Sequence, residues 1–226
     1  MNFGEIIYLI SAYLFGAIPT GYLIARATAG KNILQIGWRK NSGSNVFYNV
    51  GKWQGIATIV IDFLKGYLVV FAAMVLGLPV FVQALAALAA LVGHNWSVFL
   101  RFAGGRGIAI YGGALLAFSP QVFGATVLAA LVFFVLVTSS VATLVGLAAA
   151  AYFSRFFGAI PGVGIFTVYS VIPILLKRLS PYRELPLINP KIILNRLLFD
   201  DDVVPKMGIS GFANYIKITS GVDKNK

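Results

Sequence analysis

Residues 56–76 read IATIVIDFLKGYLVVFAAMVL. As a helix this run is long enough to cross a hydrocarbon core, since about 20 residues rising 1.5 Å each span about 30 Å. Asp62 and Lys65 nevertheless sit in its middle. Ionisable groups at such depth are costly, so they face a bundle interior, paired with each other or lining a wet cavity. Their i, i+3 spacing lets them neutralise one another on one helix face. A structural pair and a catalytic or relay pair both fit, and Gly66 beside them would let a helix or ligand come close.

The rest of the chain has the same character. Its 226 residues are 59% hydrophobic and 11% charged, with a mean hydropathy of +0.87, whereas soluble domains carry about 25% charged residues. The expected fold is all-α and integral to a membrane, a bundle of about seven transmembrane helices with short loops. Helices are expected at 4–26, 55–77, 80–100, 106–118, 121–138, 140–157 and 160–178, with turns at Pro79, Ser119-Pro120 and Gly158 with Pro161. The first segment lacks a basic n-region and a small-residue cleavage site, so it is expected to stay as a helix. Residues 1–178 then form the bundle and 179–226 a cytoplasmic tail.

Placing the 27–54 loop inside puts Arg26, Lys31, Arg39, Lys40, Lys52, Arg101, Arg106, Lys177 and Arg178 on the cytoplasmic side and leaves Arg155 outside. That bias sets the N-terminus outside and the C-terminus inside. The net charge of +11 therefore reads as topology and attraction to lipid headgroups, or to an anionic substrate, and calls for no nucleic acid. The absence of cysteine removes disulfides, thiolate metal sites and cysteine nucleophiles. One histidine with scattered carboxylates supplies no metal ligand set, so no metal is expected.

Two further segments suit chemistry at the cytoplasmic side. GWRKNSGSNVFYNVG, residues 37–51, offers Ser42, Ser44 and Asn45 around Gly43, either as an anion-binding nest or as a polar loop capping the next helix. GHNWSVFLRFAGGRGIAIYGG, residues 93–113, holds the sole histidine, His94, and the turn Gly104-Gly105-Arg106-Gly107. A glycine-rich turn entering a helix aims free amides and a positive dipole end at whatever lies there, and Arg106 adds a bidentate donor, so phosphate suits it. The plain alternative is a short helix connection. His94, with no acid near it in sequence, reads as a hydrogen-bonded packing residue at a helix end more readily than as a catalyst.

In order, the loop ending in SNV, then DFLKG, then GHNWSVFLRFAGGRGIA resemble the bacterial acyl-phosphate:glycerol-3-phosphate acyltransferase family over about residues 4–199. The resemblance implies transfer of an acyl chain from acyl phosphate to the first hydroxyl of glycerol 3-phosphate, giving lysophosphatidic acid, with no organic cofactor. It also implies phosphate held at the glycine turn, by Gly104, Gly105, Arg106 and Gly107 with His94, Ser42, Ser44 and Asn45 as further candidates. An open groove between helices would take the acyl chain.

Several family positions differ. Trp38, Arg39 and Lys40 replace a serine, a glycine and an asparagine, and Tyr48 replaces an arginine. Arg106 stands for lysine, Ser139 for arginine, Ala142 for serine, Pro190 for histidine and Ile193 for asparagine. Loss of several donors at once favours lost or altered catalysis, with the bundle serving as a lipid-binding or accessory subunit of a membrane complex. The alternative is an active acyltransferase. A transporter using Asp62 and Lys65 as a relay is weaker, because no internal repeat or pair of broken helices is apparent.

In the tail, Ile192, Ile193, Leu194, Leu197, Leu198 and Phe199 form an apolar stripe beside Lys191, Asn195 and Arg196. An interfacial or partner-docking helix is expected near 190–199. It would end before Asp200 to Asp202, whose charge opposes the helix dipole. Residues 203–226 read as a loose terminus or as an arm that binds a membrane-protein partner.

Overall fold

The computed structural model describes residues 1–136 and 139–179, and among them the chain is helical with no strand. The interfacial helix near 190–199, the tail and the positions Pro190 and Ile193 lie outside the described residues. Helix α1 covers Phe3–Ala17, α2 Thr20–Ala29, α3 Gly43–Asn49, α4 Lys52–Val75 and α5 Val80–Asn95. After a single turn at Val98–Leu100 come α6 Ile108–Phe118, α7 Pro120–Leu136 and α8 Ser139–Phe156; a wide turn at Ile160–Gly164 then leads into α9 Ile165–Leu179.

Among the described residues, four segments are long and apolar enough to cross a membrane: Phe3–Ala29, Lys52–Val75, Val80–Leu100 and Ile160–Leu179. Their outward residues, among them Ile59, Val60, Leu68 and Val168, are exposed, as a lipid-facing surface requires. The shorter helices α6 and α7 are equally apolar.

Three expected boundaries change. The single helix over 4–26 is two, because Pro19 has no N–H to continue the ladder and the chain bends at Ile18. The 27–54 connection contains α3, which begins where the Ser42 hydroxyl accepts from the Asn45 N–H at 3.4 Å. The helix expected over 80–100 ends at Asn95, and α6 starts at Ile108 behind Gly107, whose φ of +76° suits glycine.

With lipid outside, association of helices relies on close approach of small residues. A Cβ on Gly16 would stand 2.1 Å from the Ala90 carbonyl oxygen and one on Gly93 2.1 Å from that of Tyr13, which locks α1 to α5. Gly66 and Gly113 do the same for α4 and α6, at 2.0 Å from the Ile110 oxygen and 1.8 Å from the Phe63 oxygen. Leu91, Ile110, Leu115, Phe166 and Ile174 fill the centre of the bundle. A second apolar cluster of Ala25, Ile33, Leu34, Val46 and Ala103 lies under the 30–46 loop and braces it.

Candidate functional site

The break at Pro19 explains the intramembrane charges. It strips helical partners from the Ala17 and Ile18 carbonyls, and side chains from other helices supply replacements. Ser97 Oγ donates to the Ala17 oxygen at 2.5 Å, and Lys65 Nζ donates to the Ile18 oxygen at 2.6 Å. Lys65 also donates to Thr20 Oγ1 and to Asp62 Oδ1 at 2.9 Å, which accounts for all three N–H groups of an ammonium. Asp62 and Lys65 are 2% and 3% exposed. The ammonium of this buried pair is fully bonded, which offsets part of the cost of burying two charges. The Asp62 carboxylate has one more neighbour: His94 Nδ1 lies 3.8 Å from Oδ1. The acid partner that is missing near His94 in the sequence is thus supplied by α4.

Around His94 the glycine turn folds back on the end of α5. The Gly105 N–H donates to the His94 carbonyl at 3.1 Å, and the Ser97 N–H to the Ala103 carbonyl at 3.1 Å. A Cβ on Gly104 would stand 2.2 Å from the His94 carbonyl oxygen; one on Gly105 would stand 2.2 Å from His94 Nε2 and 2.4 Å from the Asn41 carbonyl oxygen. Gly104, Gly105 and Gly107 are buried and Arg106 is half-buried. The first amides of α6, which lack intrahelical acceptors and favour an anion, follow directly on Gly107.

The 37–45 segment meets this turn through a residue that the motif reading passed over. The Asn41 N–H donates to the Gly104 carbonyl at 3.2 Å, while the Asn41 side-chain oxygen accepts from the Tyr22 N–H at 2.8 Å. Asn45 organises the loop from within. Its Nδ2 donates to the carbonyls of Ile33, Ile36 and Lys40 at 3.1, 3.2 and 2.9 Å, and its Oδ1 accepts from the Trp38 N–H and from Asn49 Nδ2 at 3.1 and 2.9 Å. Ser42 Oγ stands 3.4 Å from Ser44 Oγ, and Ser44 is exposed. Trp38 and Tyr48 pack edge-on with centroids 5.7 Å apart.

A second residue that the motifs missed is Lys177, in the last turn of α9. It is 8% exposed, its Nζ lies 5.4 Å from the Trp96 ring centroid, and it is within electrostatic reach of Lys40 and His94. The positive-inside rule reads such a lysine as a topology signal and cannot tell that it turns inward. Beside it, Arg178 is 2% exposed and donates to the Ser140 carbonyl at 3.1 Å, tying α9 to the start of α8.

An apolar groove of about 420 Å³ between α4, α6, α7 and α8 is lined by Ile108, the residue after the turn, and by Tyr111, Gly112, Phe123, Ala130 and Gly146. A second apolar cavity of about 430 Å³ flanks the helix break, reaching Phe15, Thr20 and Lys65. Among the described residues no group of three His, Cys, Asp or Glu side chains is placed to hold a metal ion.

Comparison with known proteins matches this arrangement to one family. The profile described as glycerol-3-phosphate acyltransferase matches residues 6–184. The chain is 31% identical over 212 residues to glycerol-3-phosphate acyltransferase 5 of Dehalococcoides mccartyi, covering 90% of this chain and 91% of that protein. It is 46% identical over 112 residues to glycerol-3-phosphate acyltransferase 2 of Moorella thermoacetica, a match that spans half of this chain and 57% of that protein's length. Among solved structures it resembles crystal structures of PlsY, an integral membrane glycerol 3-phosphate acyltransferase. The glycerol 3-phosphate form superposes with a TM-score of 0.71 at 28% identity, over 77% of this chain and 88% of that one. For the lysophosphatidic acid form the TM-score is 0.69 and the identity 27%.

Proposed function

The chain belongs to the glycerol-3-phosphate acyltransferase family, and from that premise we propose that it is an active membrane acyltransferase. It moves an acyl chain from acyl phosphate to the first hydroxyl of glycerol 3-phosphate. One observation carries this reading. The Asn41 to Gly104 hydrogen bond joins the 37–45 loop to the glycine turn, and Ile108, the residue after that turn, lines the apolar groove. A ligand with a phosphate head and an apolar tail fits a place where a turn suited to an anion is followed at once in the chain by the lining of an apolar groove. The first amides of α6 and Arg106 would hold the phosphate, and the groove would take the chain.

In the reaction, the substrate hydroxyl oxygen bonds to the acyl carbon, the bond from that carbon to the phosphate oxygen breaks, and the released phosphate leaves with the hydroxyl proton. The described residues contribute position and positive charge, and no covalent nucleophile is required. Loss of catalysis, expected from the altered motif positions, is set aside. Where the family has glycine and asparagine this chain has Arg39 and Lys40, and Lys177 adds a third cation near the loop. Those charges stand in for some of the donors that are lost.

The same reading places the chain across a bacterial cytoplasmic membrane seven times, counting α1 with α2 as one broken span. Its N-terminus lies outside, and the tail from residue 179, with an interfacial helix near 190–199, lies on the cytoplasmic side. Membrane lipids surround the bundle. Docking of another membrane protein on the tail is a separate expectation that the acyltransferase reading does not need.

The test is acyl transfer from acyl phosphate to labelled glycerol 3-phosphate by the purified protein, beside a family member with intact motifs. Product is expected, and Arg106→Ala is expected to lower kcat/KM by about 100- to 1,000-fold. No product from folded protein, with the control active, refutes the reading.

A further inference from the structure

His94 is the only histidine in the chain and is 4% exposed, in the last turn of α5. Its Nδ1 faces the Asp62 carboxylate at 3.8 Å and has no hydrogen-bond partner. Its Nε2 edge lies against the glycine turn, close enough that a Cβ on Gly105 would sit 2.2 Å away. A buried ring nitrogen left without a partner calls for an explanation. This one stands between a carboxylate and a turn built for an anion.

The chemistry of imidazole narrows the choice. A neutral ring has one donor and one acceptor nitrogen. With Nδ1 facing a carboxylate, its single proton belongs there, and Nε2 then presents a lone pair to the turn. A phosphate oxygen arriving at that point would meet another acceptor. Only the doubly protonated ring offers a donor on both sides. Asp62 has capacity for this second partner, because a carboxylate accepts at about four lone-pair sites and Lys65 directs two of its three bonds elsewhere.

We infer, on the acyltransferase reading above, that Asp62 and His94 form an acid–imidazole pair that completes the phosphate site. When an anion enters the turn, His94 takes a second proton from solvent and donates from Nε2 to the anion, while Asp62 balances the ring. His94 is then a binding residue and Asp62 a positioning residue acting through it. The other charges that face the ring, Lys65 from α4 and Lys177 from α9, oppose a positive imidazole. The second proton is therefore held only while the anion is present. The charge state of His94 reports occupancy of the turn.

Because the chain has one histidine, ¹⁵N-histidine labelling gives a one-site probe. The purified full-length protein is titrated with inorganic phosphate while the ring nitrogens are recorded by NMR. Phosphate is expected to convert a ring with one protonated nitrogen to one with two. Asp62→Asn is expected to abolish the conversion and Asp62→Glu to keep it. In turnover, His94→Leu is expected to raise KM for acyl phosphate by about tenfold or more, the effect of losing one hydrogen bond to a charged group. His94→Gln, which keeps a side-chain N–H, is expected to recover most of that loss. A wild-type ring whose protonation is unchanged up to the highest phosphate concentration the protein tolerates overturns the pair, without calling on any variant. A responsive ring in a protein that makes no lysophosphatidic acid upholds the pair and sinks the acyltransferase reading. Turnover with a silent ring does the reverse.

Discussion

Gly105→Ala isolates the geometry on which the proposed phosphate site depends. The backbone at Gly105 is outside the left-handed region, so alanine carries no conformational penalty and only its methyl group matters. That methyl would lie 2.4 Å from the Asn41 carbonyl oxygen and 2.2 Å from His94 Nε2. The first distance falls short of an ordinary C···O contact of about 3.3 Å by roughly 0.9 Å. The Asn41 oxygen is backbone, in a loop pinned by Asn45, and His94 is wedged against Asp62, so neither neighbour yields freely. The turn must move away by close to 1 Å. Misplacement on that scale costs about 100-fold in rate where catalysis rests on positioning, or about 2.7 kcal/mol of barrier. Overpacking itself adds about 1–3 kcal/mol of lost stability. The assay is kcat and KM for both substrates together with thermal unfolding in detergent, against Gly124→Ala, whose methyl would meet no atom within 4 Å. Gly124→Ala should be near wild type in every measure. If Gly105→Ala keeps full kcat, the turn does not hold the reacting phosphate.

Three further outcomes follow from the same geometry. Lys65→Met leaves the Asp62 carboxylate buried and without its ammonium, and should cost about 3–5 kcal/mol in detergent unfolding; Lys65→Met with Asp62→Leu should recover a large part, and no recovery would show that Lys65 acts mainly on the Ile18 carbonyl. Asn45→Ala strips the Nδ2 donor from the carbonyls of Ile33, Ile36 and Lys40, each worth about 1–3 kcal/mol where the carbonyl finds no water, so proteolysis should open the 30–46 loop before the rest of the protein, and a loop as resistant as wild type would refute this. Lys177→Met keeps the apolar stem and removes the charge; acyl phosphate KM should rise about tenfold, the order of one charged contact, with thermal stability unchanged or improved. An unchanged KM would mean that Lys177 does no more than cap α9 over Trp96.

The helical bundle was legible because lipid as a solvent leaves the chain little choice. Long apolar runs must satisfy their backbone as helices, and the helices over 52–75, 80–95, 108–118 and 165–179 overlap the runs that hydropathy marks, though their ends differ by up to several residues. What hydropathy cannot register is a break that side chains repair. Ile18 and Pro19 sit inside a run that is apolar throughout, and proline in a spanning helix is tolerated when neighbours satisfy the freed carbonyls. The neighbours are Lys65 and Ser97, 47 and 80 residues away. No local window contains them. The α3 helix was hidden for a different reason: its signal is Ser42 as N-cap, and a serine among glycines reads equally well as a plain loop.

For the site, the sequence exposed residue types and order but not the joints. The glycine turn, DFLKG and the Ser42 to Asn45 stretch were each visible as polar interruptions in apolar sequence. Asn41, which hydrogen-bonds the loop to the turn, looked like filler between Lys40 and Ser42. His94 and Asp62 lie on different helices, so chain distance concealed their approach. The altered positions show the cost of reading motifs one residue at a time. Trp38, Arg39, Lys40 and Tyr48 look like four independent losses, yet Trp38 and Tyr48 pack on each other and Lys40 brings a cation toward Lys177. A phosphate is held by total positive potential and by N–H groups aimed at it, and neither quantity belongs to a single position. On the acyltransferase reading, cations on the loop and on α9 would offset donors that a position-by-position motif comparison counts as lost. The Lys177→Met measurement bears directly on this, because a lysine outside every matched motif should alter the affinity for the phosphate donor if potential is shared across the pocket.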